Sequence, residues 1–176
     1  MNTEMMNGAG EGVSGDTMQV ATFLVAGEEY AVDIMRIIEI IRPQKITAVP
    51  RAPVFVEGII SLRGKVVPVV DLRHRFGIAE HREDPKKVRI VIVQVGERVV
   101  GLIVDEVLEV IDMDRSEVEE TPDTVRGVDA EYLEGVGKSG DSLIFILDIG
   151  KILTKDEIRQ LGSTVLGPAA VQEEGV

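Results

Sequence analysis

A glycine-rich run, Gly135–Gly140 (GVGKSG), is the stretch of the sequence that most resembles a chemical site. It satisfies the pattern G-x-G-x-x-G and contains Gly-Lys-Ser, and such glycines let backbone N–H groups approach a phosphate. The dinucleotide-binding version must open a helix, whereas the residues that follow here, Leu143–Leu147, predict a strand. A Walker A loop also requires glycine where this chain has Tyr132. We therefore interpret the run as a glycine-rich hairpin turn and predict no cofactor.

An acidic segment has part of the spacing of a calcium-binding loop. Asp112, Asp114 and Ser116 occupy the first three ligand positions of an EF-hand loop. The sixth position holds Glu117 where the loop requires glycine, and the twelfth holds Asp123 where it requires glutamate. This pattern favours a solvated acidic loop, and no metal site is predicted.

Other groups that could do catalysis are sparse. The two histidines, His74 and His81, lie in a polar linker, and neither belongs to an H-E-x-x-H motif. The chain has no cysteine, which excludes thiolate catalysis, cysteine-ligated metals and disulfides. It also has no G-x-S-x-G nucleophile elbow. We therefore expect a protein that is not an enzyme.

The composition narrows the expected partners and location. The net charge is −12, from 31 acidic and 19 basic residues. Nucleic-acid surfaces need concentrated Lys and Arg, so nucleic acid is not an expected partner. No apolar run approaches the ~20 residues of a transmembrane helix, and residues 1–17 lack the basic start and apolar stretch of a signal peptide. We expect a cytoplasmic protein without direct membrane insertion.

The rest of the chain is organised around two similar stretches. They are EGIISLRGKVVPVVDL from residue 57 and EGVGKSGDSLIFILDI from residue 134. Each has two apolar, β-branched runs joined at a glycine, which is typical of a β-hairpin. The spacing from Gly58 to Asp71 in the first is the same as the spacing from Gly135 to Asp148 in the second. The match indicates that the fold is duplicated.

The repeat extends beyond the hairpins. Glu39 recurs as Glu109, and Gly27-Glu28 recurs as Gly96-Glu97 at an offset that is shorter by one. Each copy offers about five short strands, and copies this small are expected to share an apolar seam. The division that we predict is a flexible tail over 1–17, a first β-barrel half over 18–85, a second half with a C-terminal helix over 86–162, and a flexible tail over 163–176.

Three local elements are also predicted. A turn near Met35-Arg36 is expected to lead into a strand through Glu39. Proline in the first turn favours a short helix over Pro53–Glu57. The sequence Thr154–Leu161 predicts a closing helix in which Thr154 is the N-cap and Glu157 completes a capping box.

Differences between the copies are the best guide to function. Arg63 lies at the tip of the first hairpin, and Gly140 takes its place in the second. The planar guanidinium makes Arg63 a candidate anchor for carboxylates on a partner, although an arginine at a hairpin tip is often simply exposed. Strand alternation predicts Ile38 and Ile40 on one face and Ile37 with Glu39 on the other. We expect Ile37, beside a charge, to face solvent.

At these residues the chain resembles the CheW family of bacterial chemotaxis coupling proteins. The likeness spans nearly all of 19–161 and rests on three runs in order: GEEYAVDIMRIIEI from residue 27, IISLRGKVVPVVDL from residue 59 and GERVVGLIVD from residue 96. Relatives usually have Asn where this chain has Ser61. The arginine and glycine that follow are intact.

The resemblance implies a mainly β fold of two tandem five-stranded SH3-like barrels on a common apolar core. It also implies a non-catalytic adaptor between the cytoplasmic tips of chemoreceptors and the histidine kinase CheA, whose regulatory domain would pair with the barrel ends. A helical hairpin of the receptor would dock in the groove between the barrels. The residues implied at that surface are Ile37, Glu39, Gly58, Arg63 and Val110.

Two alternatives remain open from the sequence. One is a stand-alone regulatory module like that of CheA. The other is a nucleotide-binding enzyme that uses Gly135–Gly140. Calorimetric titration with ATP or NAD separates the enzyme from the adaptor, because the adaptor requires no measurable heat.

Overall fold

The structure, a computed structural model, describes residues 16–78, 82, 84–120 and 130–160. The predicted tail over 163–176, nearly all of the tail predicted over 1–17, His81 and Asp123 lie outside these residues. The first strand already includes Thr17, so it begins just before the boundary that was predicted.

Ten strands account for most of the described chain. They are β1 (Thr17–Val25), β2 (Glu28–Asp33), β3 (Ile37–Ile41), β4 (Val56–Leu62), β5 (Lys65–Asp71), β6 (Arg89–Val95), β7 (Arg98–Val104), β8 (Glu106–Asp114), β9 (Leu133–Ser139) and β10 (Ser142–Leu147). The helices are short: α1 (Leu72–Arg75), α2 (Ile149–Ile152) and α3 (Lys155–Gln160). Single 3-10 turns cover Ile34–Arg36, Pro85–Lys87, Arg115–Glu117 and Ala130–Tyr132.

The strands form two five-stranded sheets, and each sheet contains strands from both sequence copies. The first sheet has the order β8-β1-β2-β10-β9, and the second has the order β3-β6-β7-β5-β4. Replacing each strand by its equivalent in the other copy converts one order into the other. The two-sheet duplication is thus confirmed. The division of the chain differs from expectation, because residues 18–85 supply two strands to one sheet and three to the other.

The strand registers correct one alignment of the copies. The β1–β2 and β6–β7 hairpins close with Val25 opposite Glu28 and Val95 opposite Arg98. Val25 and Val95 are related by the same offset as Glu39 and Glu109, so Ala26-Gly27 is equivalent to Gly96-Glu97. The predicted match of Gly27-Glu28 with Gly96-Glu97 is therefore wrong by one position. It aligned two glycines, Gly27 and Gly96, that do not occupy equivalent places in their turns.

The alignment of the other two hairpins is confirmed. Val56 faces Val70 in the first, and Leu133 faces Leu147 in the second. Both pairs follow the offset that relates Gly58 to Gly135.

Apolar side chains form three clusters. Their make-up follows from the pairing of strands of one sequence copy with strands of the other, which we call the exchange of strands. One cluster lies between the sheets and takes residues from both, among them Phe23, Tyr30, Val32, Val56, Val70, Val91, Leu102, Leu133 and Leu147. Two smaller clusters each serve one sheet. The predicted shared core is therefore present, and β-branched residues supply most of it, as expected of side chains that favour strands.

The short elements agree with the sequence in two of three cases. Asp33 accepts a hydrogen bond from the Met35 backbone N–H at 2.9 Å and so caps the predicted turn before β3. The capping box of α3 is confirmed, because the Thr154 hydroxyl oxygen accepts from the Glu157 N–H at 3.1 Å and a Glu157 carboxylate oxygen accepts from the Thr154 N–H at 2.7 Å. The helix predicted over Pro53–Glu57 is wrong: one turn forms there, and Val56 already belongs to β4.

A polar network ties the ends of several strands together. Asp105, between β7 and β8, accepts hydrogen bonds from Arg73 at 2.6 to 3.0 Å, from Arg82 at 2.9 Å and from the Ala26 backbone N–H at 2.8 Å. Arg82 also donates to Asp71 at 2.6 Å. Partial burial raises the pKa of the Asp105 carboxyl, but hydrogen bonds from Arg73 and Ala26 and the two arginine charges outweigh it, so the pKa lies below its ordinary value.

No helix in the described part of the chain is long and apolar enough to cross a membrane.

Candidate functional site

The β4–β5 hairpin presents Arg63 at its tip. Arg63 and Gly64 are the two turn residues, and both have positive φ, 53° and 81°. Turns of this hand match the twist of the strands that they join, and glycine accommodates them without strain. The Arg63 side chain is 76% exposed. The hairpin therefore holds an arginine out from the sheet on a short, ordered turn.

Arg63 forms a two-pronged ion pair with Glu39 on β3. Its Nε donates to one carboxylate oxygen of Glu39 at 3.0 Å, and its Nη2 donates to the other at 3.1 Å. These hydrogen bonds hold the pKa of Glu39 below its ordinary value and raise the pKa of Arg63. Two parallel bonds fix the orientation of both side chains more strictly than a single contact. The structure thus brings together two residues that are distant in the sequence.

A β-bulge decides which face of β3 each isoleucine occupies. Ile37 pairs with Val93 and Ile40 pairs with Val91, with a shift of register between Ile37 and Glu39. Because Val93 and Val91 are alternate residues of β6, Ile37 and Ile40 lie on the same side of the sheet. The prediction that Ile37 shares a face with Glu39 is therefore wrong, since a bulge inserts one extra residue.

Ile37 does not face solvent as expected. It is half-buried against the cluster between the sheets. Ile38 and Ile40 are the exposed residues of this strand, at 51% and 40%. The charge of Glu39 does not mark a solvent-facing side, because Arg63 neutralises it and its side chain is only 24% exposed.

Gly58 is held by steric crowding from the segment that follows β3. A Cβ atom at Gly58 would collide with the carbonyl oxygen of Thr47, and it would lie 2.7 Å from Cγ2 of Ile46. Thr47 and Ile59 exchange backbone hydrogen bonds at 2.9 Å, which brings the two segments this close. Gly58 therefore permits a backbone crossing beside the hairpin that carries Arg63.

Val110, the fifth predicted residue, lies on β8, which pairs with β1 at the end of the first sheet. Its side chain is 51% exposed. Leu108 on the same strand is 40% exposed. Neither the exposure of Leu108 nor that of Ile38 and Ile40 was predicted from the sequence. The repeat could have found the set, because the offset that relates Glu39 to Glu109 also relates Ile38 to Leu108 and Ile40 to Val110.

The ion pair of Arg63 and Glu39 has no counterpart in the second copy. Glu109 takes the place of Glu39, but Gly140 and Asp141 form the equivalent hairpin tip. The two sheets are thus alike in topology and differ in the groups that they offer to a partner.

The glycine-rich run and the acidic segment both have structural roles. Most of Gly135–Gly140 lies in β9, where a Cβ at Gly137 would meet the Met113 sulfur at 2.6 Å, and the turn itself is Gly140-Asp141. The Asp114 carboxylate accepts hydrogen bonds from the Ser116 N–H at 2.9 Å and from the Ser116 hydroxyl at 2.8 Å, which lower the pKa of Asp114. Among the described residues, no group of three or more carboxylates and histidines is placed to hold a metal ion.

The sequence profile of the family described as "CheW-like domain" matches residues 19–157. The chain belongs to the CheW family. It is 33% identical to chemotaxis protein CheW of Treponema pallidum, a match that covers 86% of this chain and 91% of the relative. It is 36% identical to chemotaxis protein CheW of Bacillus subtilis, over 78% of this chain and 88% of the relative.

A solved CheW structure has the same fold. The crystal structure of scaffolding protein TtCheW from Thermoanaerobacter tengcongensis superposes with a TM-score of 0.73 at 38% identity. The match covers 80% of this chain and 90% of that one. The chain is thus a CheW-family protein in sequence and in fold, and the hairpin with Arg63 lies within the matched residues 19–157.

Proposed function

We propose that this CheW-family chain is a non-catalytic adaptor of bacterial chemotaxis that couples chemoreceptors to the histidine kinase CheA. It would act in the cytoplasm, where receptor arrays recruit it to the membrane. The observation that carries the proposal is the ion pair of Arg63 with Glu39, which is exposed, present in one copy of the repeat only, and set beside exposed apolar side chains on an edge strand.

The receptor surface that we propose contains Ile37, Glu39, Gly58, Arg63 and Val110. An amphipathic helix binds through an apolar stripe, and a few charges set its register. Val110 supplies exposed apolar area, half-buried Ile37 underlies the surface from the cluster between the sheets, and Gly58 keeps the β4 backbone close to the crossing segment. The ion pair holds the Arg63 guanidinium in one orientation while most of its side chain stays exposed. Arg63 is therefore ordered before it meets a carboxylate on the receptor.

The kinase contact is proposed at a coarser level. The regulatory domain of CheA would pair with the ends of the two sheets, and we assign no residues to that contact. A stand-alone regulatory module and a nucleotide-binding enzyme are not favoured by any observation. The glycine run that suggested the enzyme lies mostly in β9, where its Gly137 packs against Met113.

The test is a pull-down of CheA and of a receptor cytoplasmic fragment with the wild-type chain and with Arg63→Ala. We expect the variant to lose about tenfold in receptor affinity, equal to about 1.4 kcal/mol, because it lacks the ordered guanidinium. Its thermal midpoint should change little, since an exposed ion pair contributes little to stability. Lys138→Ala is the matched control, an exposed cation near the equivalent tip. Unchanged receptor binding by Arg63→Ala would contradict the assignment of the surface.

A further inference from the structure

One stretch of the chain is basic although the chain as a whole has a net charge of −12. Its two acidic residues between Ile34 and Val70 are Glu39 and Glu57, and they already contact Arg63 and His74. The basic residues of the same stretch are all exposed, and they are Arg36, Arg42, Lys45, Arg51, Arg63 and Lys65. This part of the surface therefore attracts acidic segments that the rest of the molecule repels.

A cavity of about 370 Å³ opens within this basic stretch. It lies between the segment that follows β3 and the β4–β5 hairpin. Ile59, Ile60 and Val66 form its apolar lining, and polar groups that include Lys45 and Ser61 complete it. Such a cavity has room for an aliphatic side chain, and Lys45 can meet a carboxylate beside that side chain.

Hydrogen bonds hold the walls of the cavity in place. The Gln44 side-chain amide donates to the Ser61 carbonyl oxygen at 2.8 Å, and Thr47 and Ile59 exchange backbone hydrogen bonds at 2.9 Å. Among the described residues, Lys45 forms no ion pair. The cavity is thus formed in advance, which lowers the entropic cost of filling it.

An exposed valine marks the other end of β4. Val54 is 80% exposed, in a turn where the Val56 N–H donates to the Pro53 carbonyl oxygen at 3.0 Å. From Val56 to Ser61 the strand advances ~17 Å. The surface along β4 therefore offers two apolar contact points that are separated by about the length of the strand.

The segment after α3 has a matching pattern. Residues 161–176 lie outside the described residues, and their sequence is LGSTVLGPAAVQEEGV. The segment contains two acidic residues, Glu173 and Glu174, and no basic residue. Leu166 and Val171 are ~17 Å apart in an extended chain, and the acidic pair follows closely after Val171. The spacing of apolar residues and the sign of the charge both complement the surface along β4.

The attachment of α3 brings this segment to the start of β4. Arg75 donates to Glu157 of α3 at 2.7 Å, and its guanidinium carbon lies 5.2 Å from the ring centre of Phe55, the residue after Val54. From the end of α3 at Gln160, an extended chain carries Val171 up to ~36 Å, well beyond the length of β4. The acidic residues before β1 lead instead into the other sheet.

We propose that residues 161–176 dock along β4 of the same molecule. In this arrangement Leu166 covers Val54, Val171 enters the cavity, and the acidic pair lies beside Lys45. A tethered segment has an effective concentration of the order of millimolar, so a contact with a dissociation constant of about 1 mM is already half-populated. The segment needs only weak contacts to occupy the surface for much of the time.

The docked segment would lie beside the hairpin tip that carries Arg63, because Ser61 and Val66 form the strand pair that is one step removed from the pair next to the turn. We therefore expect it to compete with a receptor for that surface. This consequence rests on the proposed function, whereas the docking itself does not.

A spin label tests the docking directly. The chain has no cysteine, so Gly175→Cys provides a single labelling site next to the acidic pair. In the isotope-labelled full chain, the amide NMR signals of residues 44–47 and 59–61 should lose about half of their intensity or more, as half-occupancy requires. The intensities are compared with those of the same sample after the label is reduced.

Charge exchange identifies the contact. Glu173→Lys with Glu174→Lys should restore the signals, because like charges then face each other. Adding Lys45→Glu with Lys65→Glu to that variant should bring the loss of intensity back, because the charges are again opposite. Val171→Ser should also restore the signals, and it does so without a change of charge. Circular dichroism melts check that every variant folds.

Gly8→Cys is the matched control, because it carries the same label in the segment before β1 and should leave these signals unchanged. A mixture of isotope-labelled chain without the spin label and unlabelled chain with it shows whether the segment of a second molecule is the source. Undiminished signals with the label at Gly175→Cys, a loss that survives both sets of tail substitutions, or an equal loss in the mixture would overturn the proposal. No receptor or kinase is present, so failure of the proposed function would leave these outcomes unchanged.

Discussion

At the scale of single residues, the repeat separates structural positions from distinctive ones. Gly58 recurs as Gly135, and both stand where a crossing segment approaches: a Cβ at Gly135 would lie 2.7 Å from the carbonyl oxygen of Glu119. Arg63 does not recur, and it forms the exposed ion pair. The sequence identified both classes because comparing two copies in one chain shows which residues the fold itself requires.

The face that Ile37 occupies could not be predicted. β3 is apolar at both faces, so burial depends on the bulge after Ile37 and on which sheet face the shared core covers. The charge of Glu39 wrongly suggested that its face of β3 is turned to solvent, because its neutralising partner Arg63 lies on another hairpin. Long-range pairing of this kind leaves no periodic signal in the sequence.

The steric role of Gly58 gives a prediction at this scale. Gly58→Ala should lower the free energy of unfolding by about 3 kcal/mol, because the new methyl group meets a backbone carbonyl that cannot rotate away. Urea denaturation monitored by circular dichroism measures the change. The control is Gly150→Ala, whose Cβ would lie 3.3 Å from an Asp148 side-chain oxygen and meets no backbone. Equal stability of the two variants would show that the crossing segment yields.

At the scale of elements, Arg75 holds α3 against α1. Arg75 of α1 donates to both carboxylate oxygens of Glu157 at 2.7 Å. Its guanidinium carbon also lies 5.2 Å from the ring centres of Phe55 and of Tyr132. The capping box was readable from the sequence because its partners lie within one helical turn of each other. The attachment was not, because its partners lie in opposite halves of the chain.

Removing Glu157 should therefore weaken more than its own helix. Glu157→Ala leaves Arg75, whose side chain is only 11% exposed, without its carboxylate. We expect a loss of roughly 3 kcal/mol in the free energy of unfolding, as for other broken buried pairs. Asp156→Ala is the neighbouring control, since its side chain is 81% exposed, and its change should stay below about 0.5 kcal/mol. Comparable losses in both variants, measured by urea denaturation, would contradict the attachment.

The network around Asp105 predicts a dependence on pH. Its pKa is lowered in the folded chain from an ordinary 3.8, so the ionised carboxylate stabilises the fold. That contribution is complete at neutral pH and is lost as the pH falls below 3.8 through the folded pKa. Asp105→Asn should lower the free energy of unfolding by roughly 2 kcal/mol at neutral pH, somewhat less than the loss of one partner from a fully buried ion pair.

Urea midpoints measured at decreasing pH check this expectation. The curves for the wild-type chain and for Asp105→Asn should approach each other in acid, because protonation removes the same charge that the substitution removes. A constant difference between them would mean that the Asp105 charge does not contribute to the stability of the folded chain. Asp114→Asn is a useful comparison, since the Asp114 carboxylate caps a 3-10 turn on the surface by accepting from the backbone N–H of Ser116, two residues further along.

At the scale of the whole molecule, the sequence predicted duplication but not the exchange of strands. Repeat offsets are the same whether strands of one copy pair with each other or with strands of the other copy. Four pairings make the choice, because each joins a strand of one copy to a strand of the other: β1 with β8, β3 with β6, and the parallel pairings β2 with β10 and β5 with β7. The paired strands are not neighbours in the sequence, so no short turn between them marks these pairings in the local pattern.

The exchange predicts that neither half of the chain folds alone. Residues 1–85 contain the hairpins β1–β2 and β4–β5, but the strands that join them into sheets, β6 to β10, lie beyond residue 85. An isolated two-stranded hairpin is marginally stable at best. Separately prepared fragments 1–85 and 86–176 should therefore show no cooperative thermal transition and poorly dispersed amide NMR spectra.

Mixing the two fragments should restore the fold, because together they supply every strand of both sheets and both sides of the shared cluster. The expected result is the appearance of dispersed amide signals and of a single melting transition that shifts upward with fragment concentration, as mass action requires of an association that is coupled to folding. A control mixture with Gly58→Ala in the first fragment should reassemble more weakly. The added methyl group collides with the carbonyl of Thr47 in the folded complex, as it does in the intact chain. A dispersed spectrum and a cooperative melt from either fragment alone would contradict this expectation, because that copy of the repeat would then be a complete folding unit. The pairing of β2 with β10 and of β5 with β7 would then form after each copy had folded.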